Sequence, residues 1–421
     1  MTCYGVGVDQ LWRGIAEGRS GARLLDIPGV EGLPVRFAAS VPFGESVLET
    51  MLPNPRAAKT MSRAAMFAMI AACEAAQQAR YTAGSFAAGR VGTSLGMGGL
   101  GLLDLEHLER TFDVFARSCD SATGALDRSK LWRTTLEKVH PLTPLKALPN
   151  IAAANLAIQF NARGPSQTHA TACTAGAQAI GEAARLIRWD VCDAVFAGAS
   201  DSMVNPSGII AFAALGVLSR NNDEFATAAR PFDRRRDGFM LGEGAGVLLL
   251  EELEACRARG AVPLAEIIGY GDTSDAHRVT DEPADAHGSI AAMRAAIADA
   301  GIPQDAVDYV HAHGTGTAMN DRTETLAIRQ VFGHHAARLP VSSTKSMTGH
   351  LIAAAGSVQL VTSVMALRND LLPPTTNFEQ PDPECSLDCV PNTARHASLE
   401  VVASNSFGFG GQNTCLIMRK I

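Results

Sequence analysis

Cys173 is the residue whose type and position in the sequence best suit a nucleophile. It stands in the segment TACTAG, at the start of a predicted helix in which Ala177, Ile180, Ala184 and Ile187 recur along one apolar face. A thiol in the first turn of a helix lies at the positive end of the helix dipole, which lowers its pKa and favours the nucleophilic thiolate. The alternative is a small buried cysteine in an alanine-rich packing layer, and the local sequence leaves both interpretations open.

Two histidines occur where predicted strands end in turns rich in glycine and hydroxyl residues. His313 lies in HAHGTGT, directly after the apolar segment VDYV, and His350 ends SSTKSMTGH, before the helical segment LIAAAGSVQ. A single histidine in such a place is usually structural, but two at equivalent positions after neighbouring strands favour a shared site where the backbone approaches a ligand. His311 alternates with His313 along the strand, so its side chain is predicted to point to the opposite face and to be structural.

Two glycine-rich segments could hold an anionic group. NSFGFGGQN, residues 405–413, is a predicted turn between two strands whose amides could bind an oxyanion, although taken alone it is more simply a hairpin turn. It is not a dinucleotide fingerprint, because a strand rather than a helix follows it. GMGGLG, residues 96–101, is likewise only a weak nucleotide signal.

The elements that must position these residues alternate between strands and helices, which predicts an α/β fold with buried sheets. Residues 105–140 are charged and lack a clean period, and we interpret them as an irregular surface insertion. The parts 1–252, with the cysteine, and 253–421, with the histidines, are predicted to be two similar halves without a sequence repeat. Besides the helix that starts at Cys173, the predicted helices are 56–78, 145–160, 287–300, 321–332 and 350–367, and the predicted strands are 90–95, 193–198, 244–252, 264–271, 307–312, 339–343, 400–405 and 414–418.

Composition and charge exclude several classes of protein. Of the 421 residues, 47% are hydrophobic and 19% are charged, which is typical of a globular protein and excludes disorder. With 36 basic and 43 acidic residues and no basic tract, the net charge of -7 argues against nucleic-acid binding. No signal peptide and no apolar run of about 20 residues is present, so we expect no membrane span.

Cysteine usage favours a reducing compartment over a disulfide framework. The nine cysteines are an odd number scattered along the chain, which predicts free thiols and a cytoplasmic location. Cys385 and Cys389 are four residues apart, but no second pair or nearby histidine completes a set of ligands. We therefore predict no metal site.

Taken in order, these motifs resemble those of the β-ketoacyl-[acyl-carrier-protein] synthases, and most closely the elongating type II enzymes. The match comprises TACTAG, HAHGTGT, SSTKSMTGH and NSFGFGGQN, together with RPFDRRRDGFMLGEGAGVLLLEE at 230–252, and it covers about residues 8–421 apart from the insertion. The resemblance implies the thiolase fold, with two similar halves in a five-layered αβαβα arrangement. The order cysteine, histidine, histidine is the one that implies decarboxylative condensation on carrier-protein substrates.

The resemblance also implies roles for the residues of the site. Cys173 would accept the acyl chain as a thioester, and its amide would form an oxyanion hole with the amide of Phe409. His313 and His350 would bind the malonyl thioester and stabilise the enolate that forms when carbon dioxide leaves. Lys345 would set the electrostatics and the orientation of His350. Asp321 and Glu324 would be the supporting acidic pair. Met97 and Phe409 would gate the acyl pocket. The other residues expected to contact the phosphopantetheine arm or the acyl chain are Thr280, Thr315, Thr317 and Phe407.

Partners follow from the same resemblance. An acyl carrier protein is expected to dock on the basic face of helix 56–79, through Arg56, Lys59 and Arg63, because carrier proteins are generally acidic; a solvated helix face without a partner is the open alternative. We expect a homodimer, or a heterodimer with a subunit like a chain-length factor. No bound cofactor is expected, since the phosphopantetheine arm belongs to the substrate.

Several points stay open at the level of the sequence. An acyltransferase on the same scaffold and a non-catalytic partner subunit are the alternatives; both histidines disfavour the first, and Cys173 disfavours the second. Fatty-acid, polyketide or polyene biosynthesis would each fit. The family's first strand, of type RVVVTG, normally precedes the segment YGVGVDQLW by about a dozen residues and is missing here; because its loss would leave unpaired backbone inside the first sheet, we expect a late start of the sequence and not a real deletion.

Overall fold

The computed structural model describes residues 1–98, 105–139 and 141–421, without the side chains of 105–108. The second half of the motif GMGGLG lies outside these residues. The α-helices are α1 (Val8–Ala16), α2 (Glu45–Met51), α3 (Arg63–Gln78), α4 (Leu105–Ser118), α5 (Arg128–Lys138), α6 (Thr143–Lys146), α7 (Asn150–Phe160), α8 (Ala175–Arg188), α9 (Pro206–Ala214), α10 (Leu253–Ala258), α11 (His287–Ala300), α12 (Ala318–Phe332), α13 (Lys345–Thr348) and α14 (Ala355–Asn369).

The β-strands form two larger sheets and two short antiparallel pairs. They are β1 (Arg23–Leu24), β2 (Phe37–Ala38), β3 (Val91–Met97), β4 (Ser166–His169), β5 (Ala194–Asp201), β6 (Gly244–Glu251), β7 (Glu266–Ser274), β8 (Tyr309–His311), β9 (Val341–Ser342), β10 (Leu371–Leu372), β11 (Arg395–His396), β12 (Val401–Gly408) and β13 (Gln412–Arg419). In the described chain the first large sheet has the order β4-β3-β5-β6 and the second the order β7-β13-β12-β8-β9.

The two sheets have the same internal plan. In the first, β4, β3 and β5 are parallel and β6 is antiparallel to β5. In the second, β9, β8 and β12 are parallel and β13 is antiparallel to β12. The inner strands of both sheets, β3, β5, β8 and β12, are nearly continuous runs of buried residues, as in α/β proteins whose sheets are covered on both faces.

Helices cover both sheets and make five layers. Helices α3 and α7 pack on the outer face of the first sheet, and α11 and α12 pack on the outer face of the second. Helices α8 and α14 lie between the sheets and contact each other. The predicted α/β fold of two similar halves in a five-layered αβαβα arrangement is confirmed.

Three predicted elements are wrong in detail: the helix 56–78, the helix 145–160, which residues 147–149 divide into α6 and α7, and the insertion. Residues 56–78 are not one helix: a 3₁₀ turn, Pro55–Thr60, ends before α3, and the hydroxyl of Ser62 caps α3 by accepting a hydrogen bond from the Ala65 amide at 3.2 Å. The insertion is not irregular, since it contains α4 and α5. Both helices are largely exposed and charged, and α5 has little apolar face to reveal a period, whereas the helical spacing of Leu105, Leu108, Phe112 and Phe115 in α4 was overlooked.

The outer edge of β6 has no partner strand in the described chain, although β13, its counterpart, pairs with β7. A cavity of about 750 Å³ runs along this edge, lined by β6 and by apolar residues that include Leu11, Ala71 and Val361. At one end of the cavity Met1 and Ala245 exchange two hydrogen bonds of 2.9 Å, the geometry of an antiparallel pair. The place of the expected first strand is thus a preformed groove.

A segment added ahead of Met1 would therefore run antiparallel to β6. We expect an extension of six alternating valine and isoleucine residues to raise the Tm by about 5 °C or more, because it would bury apolar side chains and pair the free edge. The control is an extension of six glycine and serine residues. Equal Tm values for the two extended proteins would contradict this account of the groove.

Candidate active site

The thiol of Cys173 is buried in a 3₁₀ turn, Ala172–Thr174, directly before α8. Ala172 has a φ of +49°, a left-handed conformation that bends the chain sharply between β4 and the helix. Burial raises the pKa of the thiol to about 12, while the Lys345 ammonium and the amide of Phe409 oppose that rise. The prediction of a lowered pKa is thus wrong for the free protein, because the cost of burying the thiolate outweighs the helix end.

His350 contacts this thiol directly. Its Nε2 atom lies 3.1 Å from Cys173 Sγ, and the amide of Ile352 donates a hydrogen bond to its Nδ1 atom at 3.2 Å. Since Nδ1 accepts a hydrogen bond, the proton of the neutral ring is assigned to Nε2, which points at the sulfur. The ring of Phe239 packs edge-on at 5.0 Å between centroids and closes the other side.

His313 completes a compact group of three side chains. Its ring centroid lies 5.3 Å from that of His350, and ring nitrogens of both histidines lie with Cys173 Sγ within 4.8 Å of one another. The Nδ1 atom of His313 is buried and has no hydrogen-bond partner among the residues that the structure describes. Phe407 packs against the ring at 5.8 Å between centroids. The three residues that sequence motifs singled out are therefore brought together from three separate parts of the chain.

Both imidazoles are held neutral by their surroundings. Burial is the main cause that lowers the pKa of His313 and of His350 well below the usual value, and the nearby Lys345 ammonium lowers both further. A neutral imidazole offers one N–H donor, so this pair suits a developing negative charge on a substrate oxygen. His311, as predicted, faces away and bonds instead to Ser363 and Thr344 at 2.9 and 3.0 Å.

Lys345 lies behind the histidines. Its Nζ atom donates to the carbonyl oxygen of His313 at 2.5 Å and to Gln359 Oε1 at 3.1 Å, and burial lowers its pKa to about 8. No hydrogen bond between Lys345 and His350 is found in the described chain. The expectation that Lys345 orients His350 is therefore wrong: its direct contact is with the backbone of His313, and His350 is oriented by Ile352.

The predicted acidic pair supports the turn after β8. Glu324 accepts hydrogen bonds from the amides of His313 and Gly314 at 2.8 and 2.7 Å. Asp321 accepts from the amides of Gly316 and Phe232 at 3.1 and 2.7 Å. Their carboxylates bond to backbone amides and do not reach the thiol, so they position the turn.

The glycine-rich turn between β12 and β13 reaches the nucleophile. Gly410 and Gly411 have φ values of +91° and +77°, and a Cβ added to Gly408 would lie 3.3 Å from the Cys173 nitrogen. The amide of Phe409 hydrogen-bonds to the thiol. The amides of Phe409 and Cys173 therefore converge where the oxyanion of a bound thioester would form.

The residues expected to contact substrate occupy the rim and a side cavity. Thr315 and Thr317 bond to each other at 2.9 Å on the turn after His313, and Thr280 is exposed beside Val279, whose carbonyl accepts from the amide of Gly410. Met97 is buried at the end of β3 and lines a cavity of about 160 Å³. These positions are compatible with an arm that enters past the threonines and a chain that extends past Met97.

The predicted docking residues do not share one helix face. Arg56 and Lys59 are exposed on the 3₁₀ turn before α3. Arg63, in contrast, pairs with the buried Glu243 at 2.7 Å and donates to the Phe43 carbonyl at 2.9 Å. Its guanidinium is engaged inside the protein, so the expectation that it docks a carrier protein is wrong.

Some residues of the site were missed by the sequence reasoning. Gln359, on α14, bonds to Lys345 and donates to the carbonyl oxygens of His311 and Asn405. Asn405 also donates to Glu324 at 3.1 Å. Asp201, at the end of β5, accepts the amide of Ala353 at 3.0 Å. Asp201 could have been predicted from the sequence, because the buried strand β5 ends in two polar residues, Ser200 and Asp201.

Comparisons with known proteins decide the family. Residues 1–255 match the sequence model of the β-ketoacyl synthase N-terminal domain, and residues 264–379 match that of its C-terminal domain. The chain belongs to the β-ketoacyl synthase family. It is an acyl-transferring condensing enzyme, and the family suggested by its motifs is confirmed. A relative from Synechocystis, 3-oxoacyl-[acyl-carrier-protein] synthase 2, is 38% identical over 420 residues, which are 100% of this chain and 96% of that protein.

Solved structures agree with the sequence match. A type II polyketide ketosynthase structure, titled as a complex with its acyl-carrier protein and bound to a hexaketide, matches with a TM-score of 0.87 and 30% identity over 100% of this chain and 97% of that one. The ishigamide ketosynthase/chain length factor matches with a TM-score of 0.86 and 30% identity over 100% and 96%. Within the described residues, no helix combines the length and apolarity needed to cross a bilayer.

The lowered pKa values of the two histidines give a direct test. A lowered pKa means that the neutral ring persists to lower pH, so we expect the ring NMR signals of His313 and His350 to stay constant between about pH 7.5 and about pH 6, where an ordinary histidine titrates. Signals are assigned by His313→Gln and His350→Gln. Exposed His287, whose pKa is raised by Asp285, is the internal control. A midpoint near 6.5 for either active-site ring would contradict the burial argument.

Proposed function

We propose that this protein catalyses the condensation of an acyl thioester with malonyl-[acyl-carrier-protein], which gives 3-oxoacyl-[acyl-carrier-protein] and carbon dioxide. The observation that carries the proposal is the group formed by one thiol and two neutral imidazoles, closed by two converging backbone amides. A nucleophile alone would suffice for acyl transfer. Two further N–H donors at the same point supply what an enolate needs.

The first step transfers the acyl chain. The Cys173 thiolate attacks the carbonyl carbon of the acyl thioester, and the oxyanion that develops accepts hydrogen bonds from the amides of Cys173 and Phe409. The carbon–sulfur bond to the phosphopantetheine arm then breaks, and the departing thiolate takes up the proton that the cysteine released. The nearby Lys345 ammonium and the Nε2–H of His350 favour the thiolate of Cys173, offsetting part of the cost of its burial.

The second step forms the new carbon–carbon bond. The malonyl carboxylate leaves as carbon dioxide, and its bonding electron pair passes to the thioester as an enolate whose oxygen accepts hydrogen bonds from His313 and His350. The enolate carbon attacks the acyl carbonyl on Cys173, and the sulfur leaves as a thiolate. Thiol and donors come from the protein, and the phosphopantetheine arm comes with the substrate, so the scheme uses no bound cofactor.

The setting of the reaction is part of the proposal. Some relatives are named 3-oxoacyl-[acyl-carrier-protein] synthase 2 and another is named a putative polyketide β-ketoacyl synthase, and this chain fits either fatty-acid or polyketide synthesis. All nine cysteines, which lie within the described ranges, are free thiols, and this supports a reducing cytoplasm.

A second subunit is expected on the side of α4 and α5. These helices expose large apolar side chains, including Phe112, Trp132 and Leu136, which are 69%, 66% and 86% exposed. A partner of the same fold, either a second copy or a chain-length-factor-like subunit, would cover them.

Separating the two steps tests the proposed reaction. Cys173→Ala should abolish condensation, because no acyl-enzyme can form, while release of carbon dioxide from malonyl-[acyl-carrier-protein] persists. His350→Ala should lower condensation about 100- to 1000-fold, the usual cost of one such donor, while mass spectrometry still detects partial acylation of Cys173. Condensation by Cys173→Ala at a rate near that of the wild type would refute the assignment of the nucleophile.

The corrected docking surface gives a second test. Lys59→Glu should raise the KM for an acyl-carrier substrate about fivefold at low salt, with the effect fading at high salt, because the residue is exposed and charged. Arg63→Ala is the matched contrast: it should lower the Tm, since it leaves the buried Glu243 without its cation, and it should change the KM less. The reverse pattern would return Arg63 to the docking surface.

A further inference from the structure

Asp201 is a buried carboxylate that has no role in the two reaction steps described above. It ends β5, is 3% exposed, and lies on the wall of the cavity that Met97 lines. Each of its oxygens accepts one backbone amide: Oδ1 accepts Ser202 at 2.9 Å, and Oδ2 accepts Ala353 at 3.0 Å. The Asp201 carboxylate is thus held by the next residue of its own segment and at the same time binds the segment just after His350.

That segment is strained in a way that needs support. Ile352 has a φ of +47°, a left-handed conformation that β-branched residues rarely adopt. Such a conformation costs free energy, and it persists only where surrounding contacts enforce it. Its amide is the donor that fixes Nδ1 of His350. Because Ala353 is the next residue, the hydrogen bond from its amide to Asp201 holds the turn in the orientation that points the Ile352 amide at His350.

The same carboxylate touches the end of β3. A Cβ added to Gly98 would lie 2.4 Å from Asp201 Oδ1, so this backbone rests against the carboxylate directly after Met97. Asp201 therefore lies between the residue expected to border the acyl chain and the turn that orients His350. Burial raises its pKa to about 6, which still leaves the carboxylate ionised, and accepting, at neutral pH.

We propose that Asp201 is a positioning residue of the condensation: by binding the Ala353 amide it holds the Ile352 turn, and through that turn it keeps the His350 ring with its Nε2–H directed at Cys173. The inference rests on the proposed function for its kinetic consequence only. Its structural consequence, the placement of His350 against the thiol, exists in the protein without substrate.

The test compares Asp201→Asn with Asp308→Asn. Asparagine has one oxygen, so in Asp201→Asn one of the two amides would face an NH₂ group. We expect the condensation kcat to fall about tenfold or more with the KM for malonyl-[acyl-carrier-protein] unchanged, and the rate of Cys173 alkylation by iodoacetamide at pH 7 to fall by a similar factor. Asp308 also accepts two backbone amides, from Glu400 and Val401, but it precedes β8, at the opposite end of that strand from His313. In Asp308 both amides bond to one oxygen, Oδ2, which asparagine can keep, so Asp308→Asn removes a carboxylate charge without removing an acceptor and should change neither rate.

Gly98→Ala is the second variant, because it displaces the carboxylate without removing it. It should reproduce the loss of kcat and of alkylation, and so keeps the proposal testable if Asp201→Asn folds poorly. Unchanged kcat and alkylation in either folded variant would overturn the positioning role, as would a rise in KM alone. If the wild type alkylates normally but does not condense, the proposed function fails while the alkylation comparison still decides the role of Asp201.

Discussion

The site depends on how closely α8 and α14 approach each other between the two sheets. A Cβ on Gly176 would lie 2.9 Å from the carbonyl oxygen of Ala353, and a Cβ on Gly356 would lie 2.9 Å from the Ala177 nitrogen. Real side chains essentially never come so near, so glycine at both places lets the two helix starts meet backbone to backbone. Cys173 precedes one of these helices and His350 precedes the other. Their 3.1 Å contact follows from this approach more than from any attraction between them.

Dry packing also sets the chemistry of the groups that meet there. Removing water disfavours every charged form, so it keeps the histidines neutral and raises the pKa of the thiol. The same absence of water strengthens the few charges that remain, among them the Lys345 ammonium. The site therefore disfavours an isolated thiolate, but it stabilises an anion that accepts hydrogen bonds from several fixed donors. A reaction that passes through an oxyanion and an enolate needs this kind of stabilisation.

The sequence predicted the parts of this site that repeat a motif and missed those that depend on packing. Cys173, His313 and His350 carried local signals, and the alternation of strands and helices was enough for the α/β class, whereas the five-layered arrangement came from the family resemblance. Arg63 was misassigned because a cation at a helix start looks exposed from sequence, and its partner Glu243 is 180 residues away. The contact that orients His350 could not be predicted, since it comes from a backbone amide whose direction depends on the conformation of Ile352.

The two halves show how one backbone device can serve two chemical roles. Ala172 and Ile352 have nearly equal left-handed φ values, +49° and +47°, and each begins a short 3₁₀ turn that leads into a central helix. In the first half the residue after the bend is the nucleophile, so the bend presents a side chain. In the second half the bend presents a backbone amide, which reaches back to His350 two residues earlier.

Alanine lacks the β-branching that makes this conformation costly, whereas isoleucine has it. The second bend therefore needs more enforcement than the first, and it is the second bend that has a buried carboxylate, Asp201, bound to the adjoining amide.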